Sequence, residues 1–158
     1  SRGSVIPFFN EMKKSGVLPI TDERMTRFNI TLQEGVDFVL NNFERMWGGE
    51  LFVPKIPSYN ILDIAKAIAP ECEYKIVGIR PGEKLHEEMI TESDAMNTIE
   101  FDDYYVIVPS IKIWSKTKFL NQSTDNIGKP CSDGFSYNSK SNSQFLTVEE
   151  LRELIQTI

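Results

Sequence analysis

The chain has 158 residues, 41% of them hydrophobic and 11% aromatic, and a net charge of −6. This is the length of one domain or of part of a larger protein, with enough apolar residues to bury a core, so wholesale disorder is excluded. The acidic balance and the lack of a basic stripe argue against nucleic acid as a partner, because phosphate contacts need clustered Lys and Arg.

The opening residues lack an initiator Met, and 1-SRGSVIPFF-9 reads as a loop running into a helix. The chain is therefore expected to be a fragment of a longer polypeptide. The first helix is expected over Pro7 to Ser15. Pro7 suits a first turn because its missing N–H has no partner there; Phe8, Phe9 and Met12 supply an apolar side, and Gly16 is placed to end the helix. Residues 17–21 are expected to be extended and 22–25 a turn. Thr31 and Glu34 then form a T-x-x-E capping box. After it Leu32, Val36, Val39, Leu40, Phe43 and Trp47 recur at helical spacing, and Gly48-Gly49 stops the helix.

A strand follows at 50–54 and a helix at 60–69, with Ile61, Ile64, Ala65 and Ile68 on one side and Pro70 beyond its end. The run 75-KIVGI-79 predicts a strand that stops at Arg80. A Pro-Gly turn and a charged helix are expected next, with Glu83 in its first turn and His86 along it. Residues 104–109 predict a further strand. The segment 110–134 is rich in Ser, Thr, Asn and Lys and reads mostly as loop, with a turn at Asp133-Gly134. Thr147 and Glu150 make a second capping box before Val148, Leu151, Leu154, Ile155 and Ile158. Alternating helices and short strands indicate an α/β protein. The longest apolar runs are too short to cross a bilayer and no signal-peptide pattern is visible, so a cytoplasmic protein is expected.

Four stretches could carry chemistry. In 80-RPGE-83, Pro fixes φ at the second turn position and Gly permits positive φ at the third. A guanidinium held there suits two-pronged phosphate binding; the alternative is an Arg80–Glu83 pair that only pins the turn. In 2-RGSV-5, Gly3 allows close backbone approach and Ser4 offers a hydroxyl ahead of a helix start, although Gly and Ser also open helices for structural reasons alone. Arg27, in 25-MTRFNIT-31, sits ahead of a capped helix as a ligand contact or a solvated cation. The loop 135-FSYNSKSN-142 could dress a sugar or phosphate.

The sole histidine, His86, is expected on the surface or behind the site rather than as a general base. Glu83, Glu87 and Glu88 read as a solvated face, and no metal site is expected. Cys72 and Cys131 lack metal-ligand spacing and are expected as free thiols, with a disulfide as the alternative. There is no G-x-x-G-x-x-G or G-x-G-x-x-G loop, and no tyrosine is followed four residues later by lysine.

The blocks 1-SRGSVIPFF-9, 19-PITDERMTRFNIT-31, 49-GELFVPKIPS-58, 76-IVGIRPGEKLHEEMI-90 and 135-FSYNSKSNSQFL-146 resemble the C-terminal half of the inverting UDP-N-acetylglucosamine 4,6-dehydratases, lyases of the extended short-chain dehydrogenase/reductase class. The similarity covers nearly the whole chain; 79-IRPGEKLHE-87 is its most specific part and 110–134 departs most. The resemblance implies that residues 1–158 are a single C-terminal substrate-binding portion of a Rossmann-type protein whose N-terminal cofactor-binding half is absent. Residues 1–16 would continue from that half, and 110–134 would be a variable loop segment. It implies NADP bound by the other half, a UDP-sugar such as UDP-N-acetylglucosamine as substrate, homo-oligomers when complete, and a place in surface polysaccharide and pseudaminic acid biosynthesis. It implies further that Arg2, Gly3, Ser4, Val5 and Ile6 line the substrate and that Pro19 and Thr21 lie near the uridine. Arg80 would meet the diphosphate, and the loop of Tyr137, Asn138, Ser139 and Lys140 would approach the nucleotide; Arg27 and Glu83 join this set from the local reading. No catalytic residue is expected in this portion, and the fragment alone is expected to be inactive. The alternative is a truncated, non-catalytic UDP-sugar-binding or oligomerisation module.

Overall fold

The computed structural model describes residues 5–111, 113–120 and 127–156, in a mixed α/β arrangement that divides into two compact units. One unit is drawn from within 1–29, 57–87 and 139–158, the other from within 30–56 and 88–138.

In the first unit, helix α1 (Val5–Met12) runs into a short 3-10 turn (Lys13–Ser15). Gly16 ends it at φ 77°, a left-handed conformation that costs glycine little. Strand β1 (Val17–Ile20) alternates half-buried and buried residues, with Leu18 and Ile20 in the core. It pairs in parallel with β5 (Glu73–Ile76), Val17 opposite Glu73 and Ile20 opposite Ile76. Strands β2 (Thr26–Phe28) and β4 (Ser58–Asn60) form a short antiparallel pair. Helix α3 (Ile61–Ile68) is capped by the Asn60 carboxamide, which accepts from the Leu62 N–H at 2.8 Å. Helix α5 (Val148–Gln156) follows the Thr147–Glu150 box, in which the Glu150 carboxylate accepts from the Thr147 N–H at 2.7 Å. Phe9, Leu18, Ile20, Met25, Ile64 and Leu151 are central to this unit's core.

In the second unit, helix α2 (Leu32–Arg45) begins at the Thr31–Glu34 box with both reciprocal bonds made. A four-stranded antiparallel sheet has the order β3-β8-β7-β9, from β3 (Leu51–Pro54), β8 (Tyr104–Ile107), β7 (Thr98–Glu100) and β9 (Lys129–Pro130). Strands β6 (Glu88–Ile90) and β10 (Tyr137–Asn138) pair separately. Helix α4 (Lys116–Leu120) places Phe119 in a core with Ile99, Phe101, Tyr104 and Val106.

Four expectations are corrected. The charged helix after Pro81-Gly82 does not form: residues 83–87 are irregular and lead into β6, so Glu83, His86 and Glu87 are loop residues. Their backbone groups bond across the unit rather than along a helix, as described below. Strand β5 ends at Ile76 rather than Ile79, because its partner β1 is only four residues long and Gly78, at φ 87°, turns the chain away. The segment 110–134 holds α4 and β9 as well as loop; within it 112 and 121–126 lie outside the described residues. The helix ends at Arg45, short of Gly48-Gly49, so Trp47 lies beyond it and meets Trp114 and Phe119 edge-on, while the face of Leu32, Val36, Val39, Leu40 and Phe43 is exposed rather than packed into this chain's core. Both cysteines are free thiols.

Candidate functional site

The turn at 80–83 forms as its sequence demands. The Glu83 N–H donates to the Arg80 carbonyl at 3.0 Å, and Gly82 takes φ 87°. The Glu83 carboxylate accepts from the Arg80 backbone N–H at 2.9 Å, so it braces the turn's backbone. The Arg80 guanidinium is exposed and makes no hydrogen bond or ion pair among the described residues, with Glu83 or any other. Of the two local alternatives for this arginine, a surface pair with Glu83 is not what forms.

The segment carrying Arg80 is tied down on both sides. Before it, β5 lies along β1, and the Val77 N–H still donates to the Ile20 carbonyl at 2.8 Å. After it, β2 supplies the anchors. The Thr26 N–H donates to the Leu85 carbonyl at 3.1 Å. Arg27 Nη1 donates to the carbonyls of Thr26 at 2.7 Å and Leu85 at 3.1 Å, and Nη2 donates to the Lys84 carbonyl at 3.0 Å and meets Met25 Sδ at 3.7 Å. Its Nε lies 3.8 Å from Glu87 Oε1. The Arg27 side chain is 20% exposed, and a charge so covered is tolerable because its Nη donors are met by oriented carbonyls and the Glu87 carboxylate lies at ion-pair distance. The other Glu87 oxygen accepts from the Phe28 N–H at 2.8 Å.

A chain of hydroxyls runs inward from the same segment. His86 Nδ1 lies 2.8 Å from Thr26 Oγ1, which lies 2.7 Å from Ser139 Oγ. Ser139 Oγ accepts from the Glu87 N–H at 2.9 Å, while the Ser139 N–H donates to the Glu87 carbonyl at 2.8 Å. Burial, reinforced by the positive charges of Lys140, Arg27 and Arg24 and opposed by Asp22, lowers the His86 pKa from its ordinary value, so the imidazole is neutral at pH 7. Asp22 is held down at about 2 by hydrogen bonds from the Arg24 side chain and backbone. Tyr59, opposite Arg27 across β2 and β4, is pushed up to about 12 by burial, with Glu87 adding and Arg27 opposing. Its phenol stays protonated and is no general base.

The expected site residues fall into distinct groups. Arg2, Gly3 and Ser4 lie outside the described residues. Val5 and Ile6 open α1 and pack partly against the first unit's core. Pro19 and Thr21, at the end of β1, are half-buried. Arg27, Ser139 and Lys140 gather at the 84–87 segment, but Ser139 has no exposed surface and its hydroxyl is committed to Thr26 and Glu87. Tyr137 and Asn138 form β10 in the other unit. There Tyr137 is buried, its hydroxyl donating to the Ile56 carbonyl at 3.0 Å and accepting from the Ile56 N–H at 2.9 Å. Sequence reading missed Thr26 and Glu87 as organisers of this site. No local signal marks them, because their partners are distant in sequence: Thr26 and Ser139 are 113 residues apart, and Glu87 and Phe28 are 59 apart.

Chemically, the arrangement offers a free guanidinium on a braced turn, an exposed lysine and a neutral imidazole edge, which is equipment for binding an anion. Among the described residues there is no group of three His, Cys, Asp or Glu side chains able to hold a metal.

Residues 1–109 match the family described as polysaccharide biosynthesis protein. The chain is 53% identical over 158 residues to a UDP-N-acetylglucosamine 4,6-dehydratase (inverting) of Campylobacter jejuni, covering 98% of this chain and 47% of that protein. It is 34% identical over 163 residues to a UDP-glucose 4-epimerase of Rickettsia conorii, of which it covers 46%. The X-ray structure of Pen from Bacillus thuringiensis superposes with a TM-score of 0.78 at 27% identity, over 99% of this chain and 46% of that one. The chain thus spans about half the length of the curated relatives it matches. On the extent of the family match and the identity to these relatives, the chain belongs to the polysaccharide biosynthesis protein family.

Proposed function

We propose that this chain is the nucleotide-sugar-binding portion of an inverting UDP-N-acetylglucosamine 4,6-dehydratase, a lyase acting in surface polysaccharide and pseudaminic acid biosynthesis. The observation that carries the reading is the 53% identity, extending over 98% of the chain, to a protein of that name. The geometry supports it: a UDP-sugar carries two adjacent phosphates, and Arg80 presents an uncommitted guanidinium on a turn fixed at both ends. Exposed Lys140 adds positive charge beside His86.

NADP does not fit this chain's own residues. The sequence has no glycine-rich dinucleotide loop and no tyrosine with lysine four residues on. The cofactor and the chemistry at the sugar are assigned to the portion of the relatives that this chain does not span, binding is the role left to these residues, and the complete protein is proposed to be a homo-oligomer. No helix among the described residues is long and apolar enough to cross a membrane, in keeping with a proposed cytoplasmic location.

Calorimetric titration with UDP tests the reading. Wild-type chain should bind, and Arg80→Ala should weaken binding by about 1.5–3 kcal/mol, roughly 10- to 150-fold, through lost charge-assisted bonds. Arg80→Lys should recover part, since an ammonium cannot make the two-pronged planar contact. Unaltered UDP affinity in Arg80→Ala would return the turn to scaffolding. Incubation with UDP-N-acetylglucosamine and NADP should give no 4-keto-6-deoxy product by NMR; product above background would show that this chain houses the catalytic groups after all.

A further inference from the structure

We propose that His86 is a further binding residue of this site, one that takes up a proton as an anionic nucleotide sugar binds and so adds a charge-assisted contact only when the ligand is present; this rests on the nucleotide-sugar reading above. The imidazole is half-buried and uses one edge inward, with Nδ1 2.8 Å from Thr26 Oγ1. Its other nitrogen, Nε2, has no hydrogen-bond partner among the described residues. Charged groups from three other parts of the same unit act on the ring: Asp22 and Arg24 between β1 and β2, Arg27 on β2, and Lys140 next to Ser139. Asp22 is already paired with Arg24 at 2.7 Å, so the field at the ring is positive. On the ring's own segment, the Glu87 carboxylate faces Arg27 and the Phe28 N–H. A further positive charge at His86 is therefore unfavourable until an anion arrives.

The hydroxyls behind the ring can accommodate that proton. Thr26 Oγ1 lies 2.7 Å from Ser139 Oγ, and either atom can be the donor. With a neutral ring, Ser139 donates to Thr26, Thr26 donates to Nδ1, and the ring hydrogen sits on Nε2. When a proton from solvent is added at Nδ1, both ring nitrogens become donors and the two hydroxyls turn over. Nδ1–H then donates to Thr26 Oγ1, Thr26 donates to Ser139 Oγ, and Ser139 donates to the Thr26 carbonyl at 3.2 Å. Each hydroxyl has an acceptor in both states, and Ser139 Oγ accepts from the Glu87 N–H at 2.9 Å throughout. In both states Nε2–H remains a donor free for a ligand. The doubly negative diphosphate of a nucleotide sugar offsets the surrounding cations and so favours the charged ring. By linkage, the factor by which the ligand raises the ring's proton affinity is the factor by which the proton raises ligand affinity.

His86 is the sole histidine of the chain, so in untagged protein its ring-proton NMR resonances follow the titration without ambiguity. The probe is UDP-N-acetylglucosamine. Its diphosphate is esterified at both ends and keeps its charge near neutral pH, whereas the terminal phosphate of UDP titrates there itself. The titration midpoint should lie below the ordinary histidine value in the free chain and rise when the chain is saturated with the probe. Calorimetry in buffers of different ionisation enthalpy should show net proton uptake on binding. With the bound midpoint above the free one, the added affinity is fully present below the free midpoint and is lost as pH rises through the bound one. Affinity should therefore increase about fivefold or more from about pH 8 to about pH 5.5. His86→Gln keeps a polar group for Thr26 but cannot titrate; it should bind without proton uptake and with a flat pH profile. A midpoint that stays put or falls on saturation would overturn the proposal, as would a wild-type pH dependence that survives in His86→Gln. Binding without proton uptake removes only the role of His86, whereas no binding of the probe at any pH removes the nucleotide-sugar reading and this role with it. If His86→Gln does not fold, the wild-type midpoint with and without probe decides alone.

Discussion

Helices α3 and α2 have equally clear sequence signatures and opposite fates. Both follow a side-chain cap, and both carry apolar residues at helical spacing. In α3, Ile61, Ile64 and Ala65 are buried, Ile64 completely, against α1, β1 and α5 of the same unit. In α2, Leu32 is 87% and Phe43 73% exposed, with Val39 and Leu40 also facing out, while Phe38 on another side packs against the second unit's core. Hydrophobic periodicity says that a helix has an apolar face; it does not say that this chain covers it. For α2 the caps secure the helix locally, and the burial that normally stabilises an amphipathic helix is only partly supplied.

The sharpest way to break this contrast is to cut into the covered face. Ile64→Ala should lower the unfolding free energy by about 2–5 kcal/mol, the lost transfer energy plus the cavity left behind. Urea denaturation followed by circular dichroism measures it. A loss below about 1 kcal/mol would mean that the α3 face is loosely packed and the two helices differ less than described.

How much of this could be read beforehand depended on the distance over which each feature is decided. The boxes at Thr31–Glu34 and Thr147–Glu150, the Gly16 stop and the Arg80–Glu83 turn are settled within four residues, and all form as expected. The segment 83–87 is different. Its charges have helical spacing, but its backbone and side chains bond to Thr26, Arg27, Phe28 and Ser139. Those partners come from two other parts of the sequence, and no local pattern announces them. Strands β2, β4 and β6 have three residues each, too few for a period of two to be distinguished. Of the candidate site, the turn that presents Arg80 was legible in the sequence. The buried network behind it was not: Ser139 reads as a polar loop residue and is wholly buried.

A gentler cut tests the cap that joins α3 to its core. Asn60→Ala removes the acceptor of the Leu62 N–H, and because α3 is packed along its length the loss should appear in global unfolding, at about 1 kcal/mol. Chemical denaturation with an unchanged m-value is the expected signature. An effect under about 0.3 kcal/mol would indicate that the first turn of α3 contributes nothing in the native state.

The smallest stability effect belongs to the exposed face. Phe43→Ser on α2 should change unfolding free energy by no more than about 0.5 kcal/mol, since serine and phenylalanine have similar helix propensity and the ring is largely in solvent. Its effect on association should be larger. Phe43 borders a shallow apolar groove formed with Phe38, Val39, Met46 and Phe52, and Asn42 in its wall keeps a carbonyl oxygen without a partner among the described residues. A face of this kind promotes self-association and binds hydrophobic dyes. Wild-type chain should therefore scatter more light with rising concentration and show dye fluorescence, and Phe43→Ser should reduce both. Association would also make the wild-type melting temperature depend on concentration, and the variant should lose that dependence. A dye-silent, monomeric wild type at high concentration would mean that the α2 face is covered in solution. A loss of more than about 1 kcal/mol on Phe43→Ser would lead to the same conclusion from the other side, because an uncovered ring has no such packing to lose.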